Sequence, residues 1–145
     1  MDGSRPPFEL TRIDHVLLLV RGMERSLAFY ERVLGARVES RMPRYAMVEV
    51  RAGTSHIDLV DVEAAEGAWA LPPAGGGRNV DHVALRIDAP DEAALRAHLA
   101  AHSVEIVEER IEKTLAGASL SLYVRDPSGT VLELLAPRPP SIGSE

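Results

Sequence analysis

The 145 residues contain no cysteine. Disulfides, thiolate metal ligands and thiol nucleophiles are therefore excluded together. Aromatic residues are scarce, with one Trp, three Tyr and two Phe, few for stacking a large planar ligand. Positive charge is in the minority: 16 Lys and Arg stand against 22 Asp and Glu, a net charge of −6. Binding to nucleic acid or to an anionic membrane draws its energy from clustered cations, so neither partner is expected. Long apolar runs are missing too. The longest, Val16–Val20, falls far short of the roughly 20 residues that span a bilayer. Met1–Pro7 is polar and turn-rich, without the apolar core of a signal peptide. Cytoplasmic residence is the expectation.

What remains has the balance of an ordinary folded domain, 46% hydrophobic and 26% charged, able to bury a core without a covalent staple. Any chemistry must come from His, Asp, Glu, Tyr, Ser or Arg.

The chain repeats itself. Ile13-Asp14-His15-Val16-Leu17 returns as Val80-Asp81-His82-Val83-Ala84, 67 residues later. After the first copy, Met23, Leu27, Tyr30 and Leu34 form a helical stripe with Gly35 as its stop. After the second, Pro90-Asp91-Glu92 opens a helix that runs to Ala101, with Leu95 and Leu99 stacked on one face. Each helix is followed by three strand-like segments. These are Ala36–Arg41, Tyr45–Arg51 and Ser55–Val60, then Val104–Arg110, Ser119–Arg125 and Val131–Leu135. Turn residues around Gly53 and Asp126-Pro127-Ser128-Gly129 separate the last two of each set. Each half reads strand–helix–strand–strand–strand. The expectation is one domain over about 10–137, with module one near 10–62, a linker near 63–78 and module two near 79–137. Flexible tails are expected at 1–9 and 138–145. The run Gly75-Gly76-Gly77 sits in that linker and leads into a strand, so it lacks the helix that a phosphate cradle requires.

Alternation along the strands assigns faces. Val83, Leu85 and Ile87 should pack under a helix, as should Leu132 with Leu134, Leu120 with Leu122 and Val124, and Ile57 with Leu59. His82, Glu133, Tyr123, Ser121, His56 and Asp58 then face the other way. Strand one is apolar throughout, so His15 is oriented by its repeat partner His82. Two imidazoles and two carboxylates, His15, Asp58, His82 and Glu133, thus share matching positions on the opening and closing strands of the two modules. Such a set suits a first-row divalent metal. His56, two residues from Asp58 on the same face, competes with it as a ligand. His98 and His102 have the i, i+4 spacing of a zinc pair, but residue 99 is Leu rather than the Glu of a metalloprotease, and a solvated helix surface is expected there.

In these residues the sequence resembles the vicinal oxygen chelate superfamily, which includes glyoxalase I, extradiol ring-cleaving dioxygenases, and fosfomycin and bleomycin resistance proteins. The resemblance rests on Ile13–Val16, on Ser26–Gly35 with its Phe29-Tyr30 and Val33-Leu34-Gly35, on Val80–Ala84, and on Tyr123–Leu134 with its Asp-Pro-x-Gly-x-x-x-Glu turn. It implies an α+β fold of two βαβββ modules whose eight strands form an open cup around a divalent ion such as Zn, Ni, Fe(II) or Mn. It carries ligand roles onto His15, His82 and Glu133, with Asp58 where glyoxalases have Glu.

The resemblance implies a small-molecule substrate with neighbouring oxygens, and a homodimer, the cup forming either within one chain or across two. Glyoxalase-like lyase or isomerase chemistry is expected first, with Asp58 or Glu133 removing a proton next to a carbonyl. Ring cleavage by Fe(II) held by His15, His82 and Glu133 is the alternative, with Tyr123 matching the dioxygenase signature. The His of that signature is absent, since Thr114, Leu115 and Ala116 occupy its possible positions. A non-catalytic drug-binding protein is the third possibility.

Overall fold

The computed structural model describes residues 13–70, 80, 82–114 and 117–138. The expected tail at 1–9, the expected tail at 138–145 apart from Arg138, and the Pro/Gly cluster of the linker lie outside the described residues. Module one runs β1 (His15–Val20), α1 (Met23–Arg32), β2 (Arg37–Met42), β3 (Met47–Ala52) and β4 (Ser55–Asp61). Module two repeats the order with β5 (Val83–Arg86), α2 (Glu92–Ala101), β6 (Ile106–Thr114), β7 (Gly117–Arg125) and β8 (Val131–Pro137). The two βαβββ units of the sequence reading are both present.

Each module forms a four-stranded mixed sheet, ordered β1-β4-β3-β2 and β5-β8-β7-β6. The opening strand pairs in parallel with the closing one, and the other pairs are antiparallel. A parallel pairing needs a long crossover, which α1 or α2 begins. The opening strands β1 and β5 therefore lie at sheet edges.

The helix boundaries have local causes. Gly35 takes φ 73° after α1, the left-handed stop that glycine permits. Asp91 caps α2 by accepting from the Ala94 backbone N–H at 3.0 Å. No capping side chain stands at Gly22, and α1 borrows Asp61 instead. That carboxylate accepts from the backbone N–H groups of Gly22 (3.2 Å) and Met23 (2.9 Å) at the far end of β4.

Several boundaries differ from the sequence reading: β6 runs to Thr114 and β7 begins at Gly117, and three further differences have visible causes. Tyr45 ends a 3-10 turn, Pro43–Tyr45, and β3 begins only at Met47, because Ala46 adopts a left-handed φ of 50°. Residues Ala65–Ala70 of the expected linker form another 3-10 turn, which the Trp69 indole N–H ties to the Tyr45 carbonyl at 3.1 Å. At the C-terminus, β8 continues to Pro137, and Arg138, expected in the tail, is held by Glu92 through a 2.6 Å ion pair.

The helix-facing residues form one core spanning both modules. Leu27, Phe29 and Tyr30 of α1, Ile57 and Leu59 of β4, Leu99 of α2, and Leu122, Val124 and Leu132 of β7 and β8 belong to it. Polar bonds join the modules around this core. The Tyr30 hydroxyl donates to Asp126 at 3.0 Å, the Arg21 backbone N–H to the Ser128 hydroxyl at 2.8 Å, and His98 Nε2 to the Val33 carbonyl at 2.8 Å. His98 and His102, with ring centroids 4.7 Å apart, stay exposed as expected. Because Nε2 of His98 serves this bond, the pair makes a module contact instead of a bidentate metal grip.

Candidate metal centre

Strand register places the four candidate ligands as two equivalent pairs. Asp58 lies opposite Leu17 in the β1–β4 pairing, and Glu133 lies opposite Ala84 in the β5–β8 pairing. His15 stands two residues before Leu17, and His82 two before Ala84. The repeat therefore holds in space, although the glycine-to-carboxylate spacing differs by one residue between the modules.

In module one, His15 Nε2 is 3.6 Å from Asp58 Oδ2. The other ring nitrogen, Nδ1, bonds Asp14 Oδ1 at 2.8 Å. A carboxylate on Nδ1 leaves Nε2 with its lone pair free for a ligand, the usual arrangement behind a metal-binding imidazole. The Asp14 bond, helped by the Asp58 charge, raises the His15 pKa above its ordinary value. Asp58 is only 6% exposed, and its Oδ1 has no hydrogen-bond partner among the described residues. A buried unpaired carboxylate oxygen is costly, and a bound cation would satisfy it.

His56 goes elsewhere. Its Nε2 pairs with Glu39 Oε2 at 2.8 Å, and Arg51 engages the other oxygen of the same carboxylate. These two partners hold the Glu39 carboxyl below its usual range. Among the described residues, Glu39, Glu49 and His56 are the one trio of possible ligands within 4.8 Å of each other. Arg51 already supplies the positive charge that an ion would bring.

In module two, His82 Nε2 lies 3.1 Å from Glu133 Oε2. The other carboxylate oxygen, Oε1, accepts a 2.6 Å hydrogen bond from Ser121. Ser121 is fully buried and Glu133 is 7% exposed. Tyr123, opposite Glu133 in register, packs edge-on against His82 with ring centroids 5.5 Å apart. Burial, reinforced by the Glu133 charge and opposed by Arg110, raises the Tyr123 phenol above its ordinary pKa. Ser121 is the residue that sequence reasoning passed over. Alternation puts it on the Glu133 face, but one Ser among outward residues gives no signal of burial.

The modules are chemically unequal at this point. Ser121 lies opposite Leu135 in β8, and its counterpart Met47 lies opposite Val60 in β4. A thioether cannot donate a hydrogen bond. Glu133 is consequently held by a hydroxyl, whereas Asp58 keeps a bare oxygen.

The donor set, two imidazoles and two carboxylates, fits a first-row divalent ion. Within one chain, however, no three of His15, Asp58, His82 and Glu133 share a 4.8 Å neighbourhood. The chain holds two separate His–carboxylate pairs, His15 with Asp58 and His82 with Glu133.

The family model for the Glyoxalase/Bleomycin resistance protein/Dioxygenase superfamily matches residues 12–134. The chain belongs to that superfamily. Virulence protein STM3117 of Salmonella typhimurium is 31% identical over 127 residues, covering 86% of this chain and 83% of the relative. Lactoylglutathione lyase of the same organism is 27% identical over 128 residues, covering 86% and 91%. Among solved structures, the fosfomycin resistance protein FosX from Listeria monocytogenes superposes with a TM-score of 0.68 at 17% identity, covering 90% of this chain and 94% of that one. The vicinal oxygen chelate fold expected from the sequence is the fold observed. No helix among the described residues is long and apolar enough to cross a membrane.

Proposed function

We propose that the protein is a metal-dependent lyase or isomerase of the glyoxalase type, working on a small substrate with neighbouring oxygens. Its site forms when two chains pair, so that His15 and Asp58 of one meet His82 and Glu133 of the partner subunit. The single observation that carries this reading is the pair of matched half-sites, each a His beside a buried carboxylate, standing apart within one chain. Among the described residues β1 and β5 are edge strands of their sheets, and the half-sites lie beside these edges, where a second copy can pair. Similarity to a lactoylglutathione lyase favours this chemistry, and a FosX structure containing Mn(II) favours a divalent cofactor.

The residues divide the work. When bound, the metal acts as a Lewis acid on the substrate oxygens. Ser121 holds Oε1 of Glu133, so that Oε2 is presented as a fixed ligand beside His82. Asp14 orients His15 in the same sense. Asp58, with no hydroxyl to hold it, accepts the proton from the carbon next to the carbonyl and returns it to the neighbouring carbon. Its burial keeps water away from that exchange.

A second reading is ring cleavage, favoured by Tyr123 standing against His82 and opposite Glu133. It needs His15, His82 and Glu133 but not Asp58, and it consumes oxygen.

Mixing two inactive variants tests the assembly. In a His15→Ala/His82→Ala hybrid dimer, shared sites leave one site of two with all four native residues. About half the wild-type metal per hybrid dimer is the expected result. No recovery would show that each site lies within one chain.

A further inference from the structure

We propose that the cleft beside His82 is an oxyanion subsite, in which Arg125 receives a carboxylate or phosphoryl group carried by the substrate beyond its chelating oxygens. This rests on the metal-site reading above and names the class of substrate for it. The cleft has a volume of about 300 Å³, and His82, Glu108, Arg110, Tyr123, Arg125 and Val131 line it. One candidate ligand therefore forms part of its wall, and a molecule engaging the metal there extends into this space.

Strand register sets the far end. Arg125 lies opposite Val131 and Tyr123 opposite Glu133, on the same face of the sheet. His82, one residue before β5, continues the β5–β8 register beside Val131. The path from His82 across Val131 to Arg125 is two inter-strand steps, roughly 10 Å between backbones. The Arg side chain shortens that gap to the reach of a compact molecule with one or two carbons over the apolar Val131 floor.

Charge then selects the ligand. Arg110 is committed, because its Nε and Nη2 bond Glu108 at 2.8 and 2.7 Å, and its guanidinium lies 5.5 Å from the Tyr123 ring centroid. Those two charges cancel. Arg125 is exposed and makes only a long 3.4 Å contact with the Gly129 carbonyl, with no ion-pair partner among the described residues. Its charge is the unbalanced one in the lining. A planar guanidinium with open donors pairs best with a carboxylate or phosphoryl oxygen pair.

Three D-2-hydroxy acids that differ only at their far end provide the test: glycerate, malate and 3-phosphoglycerate. Calorimetric titration first establishes Mn(II) stoichiometry, then the affinity of each acid for the Mn(II)-loaded protein. At least one of malate and 3-phosphoglycerate should bind about 10-fold or more tightly than glycerate, the scale of one charge-assisted pair. Which of the two gains more distinguishes carboxylate from phosphoryl recognition. Arg125→Gln should erase the preference and leave glycerate affinity unchanged, with Arg125→Lys restoring part of it. Stoichiometric Mn(II) with equal affinity for all three acids, or a preference that survives Arg125→Gln, overturns the subsite alone. Failure to hold Mn(II), and equally Zn(II), Ni(II) or Fe(II) offered in its place, overturns the metal reading and the subsite with it.

Discussion

Tyr30 and Asp126, 96 residues apart, meet through a 3.0 Å hydrogen bond from the phenol to Oδ2. Tyr30 is fully buried and Asp126 is 4% exposed. The second carboxylate oxygen of Asp126 accepts from the backbone N–H groups of Ser128 and Thr130, each at 2.9 Å, and so shapes the turn before β8. Burial, with the Asp126 charge, pushes the Tyr30 phenol far above its ordinary pKa. Two segments that carry the family resemblance, the Phe-Tyr helix and the Asp-Pro-x-Gly turn, are thus the two halves of one contact between modules.

Tyr30→Phe should therefore destabilise the fold while leaving the half-sites in place. It strands a buried carboxylate oxygen, at a cost of about 1–3 kcal/mol. Urea unfolding should show a lower midpoint with an unchanged slope. An unaltered midpoint would mean that the bond does not tie the modules.

Ser121→Ala should weaken metal binding by about 10–100-fold, the usual range for losing a hydrogen bond behind a ligand. Thermal stability should fall much less, and Ser121→Thr, which keeps the hydroxyl, should restore affinity. Competition against a chromogenic chelator reads this directly. Equal affinity in the Ala variant would remove Ser121 from the site.

Asp58→Asn and Glu133→Gln should separate into different phenotypes. The first should keep most of its metal and lose about 10²–10⁴ in turnover of a hemithioacetal, the range for general acid–base help. The second should lose the metal itself. Oxygen uptake by the Fe(II)-loaded protein with a catechol, unaffected by Asp58→Asn, would favour ring cleavage instead.

Acid should undo the start of α1. Burial works against the Asp61 charge, but the backbone N–H groups of Gly22, Glu63, Met23 and Ala64 more than offset it and hold the carboxyl below its ordinary pKa. A depressed carboxyl adds stability that is complete above its unfolded value and is lost as pH falls through the folded one. Asp61→Asn, which replaces one of the two accepting carboxylate oxygens by an amide donor, should lower the melting temperature at pH 7 by several degrees, about 1–3 kcal/mol for a lost charge-assisted hydrogen bond. The two proteins should converge as pH falls through the depressed folded value, where wild-type Asp61 is also protonated. A gap that persists there would assign the effect to packing.

Much of this architecture was legible along the chain because it depends on local period and on repetition. The 67-residue repeat announces two equal modules, and the helix stripes and strand alternation mark their faces. That the opening and closing strands pair in parallel, bringing each His beside its carboxylate, only the structure shows. The edge of each element was less legible. Asp61 caps a helix 38 residues away, and Tyr45 turns because Ala46 adopts a left-handed backbone conformation; neither event has a periodic signature.

The sequence by itself determined which side chains share a face, since a strand must alternate and a repeat must superpose. Tertiary structure alone decided which of them meet. Packing the helices of both modules into one core, with Tyr30 on Asp126 and His98 on Val33, sets the two half-sites apart within a chain. It also decided that Ser121, one outward residue among several, is buried against Glu133. Both outcomes follow from contacts between residues distant in sequence, whose energies come from burial and partner geometry instead of local pattern.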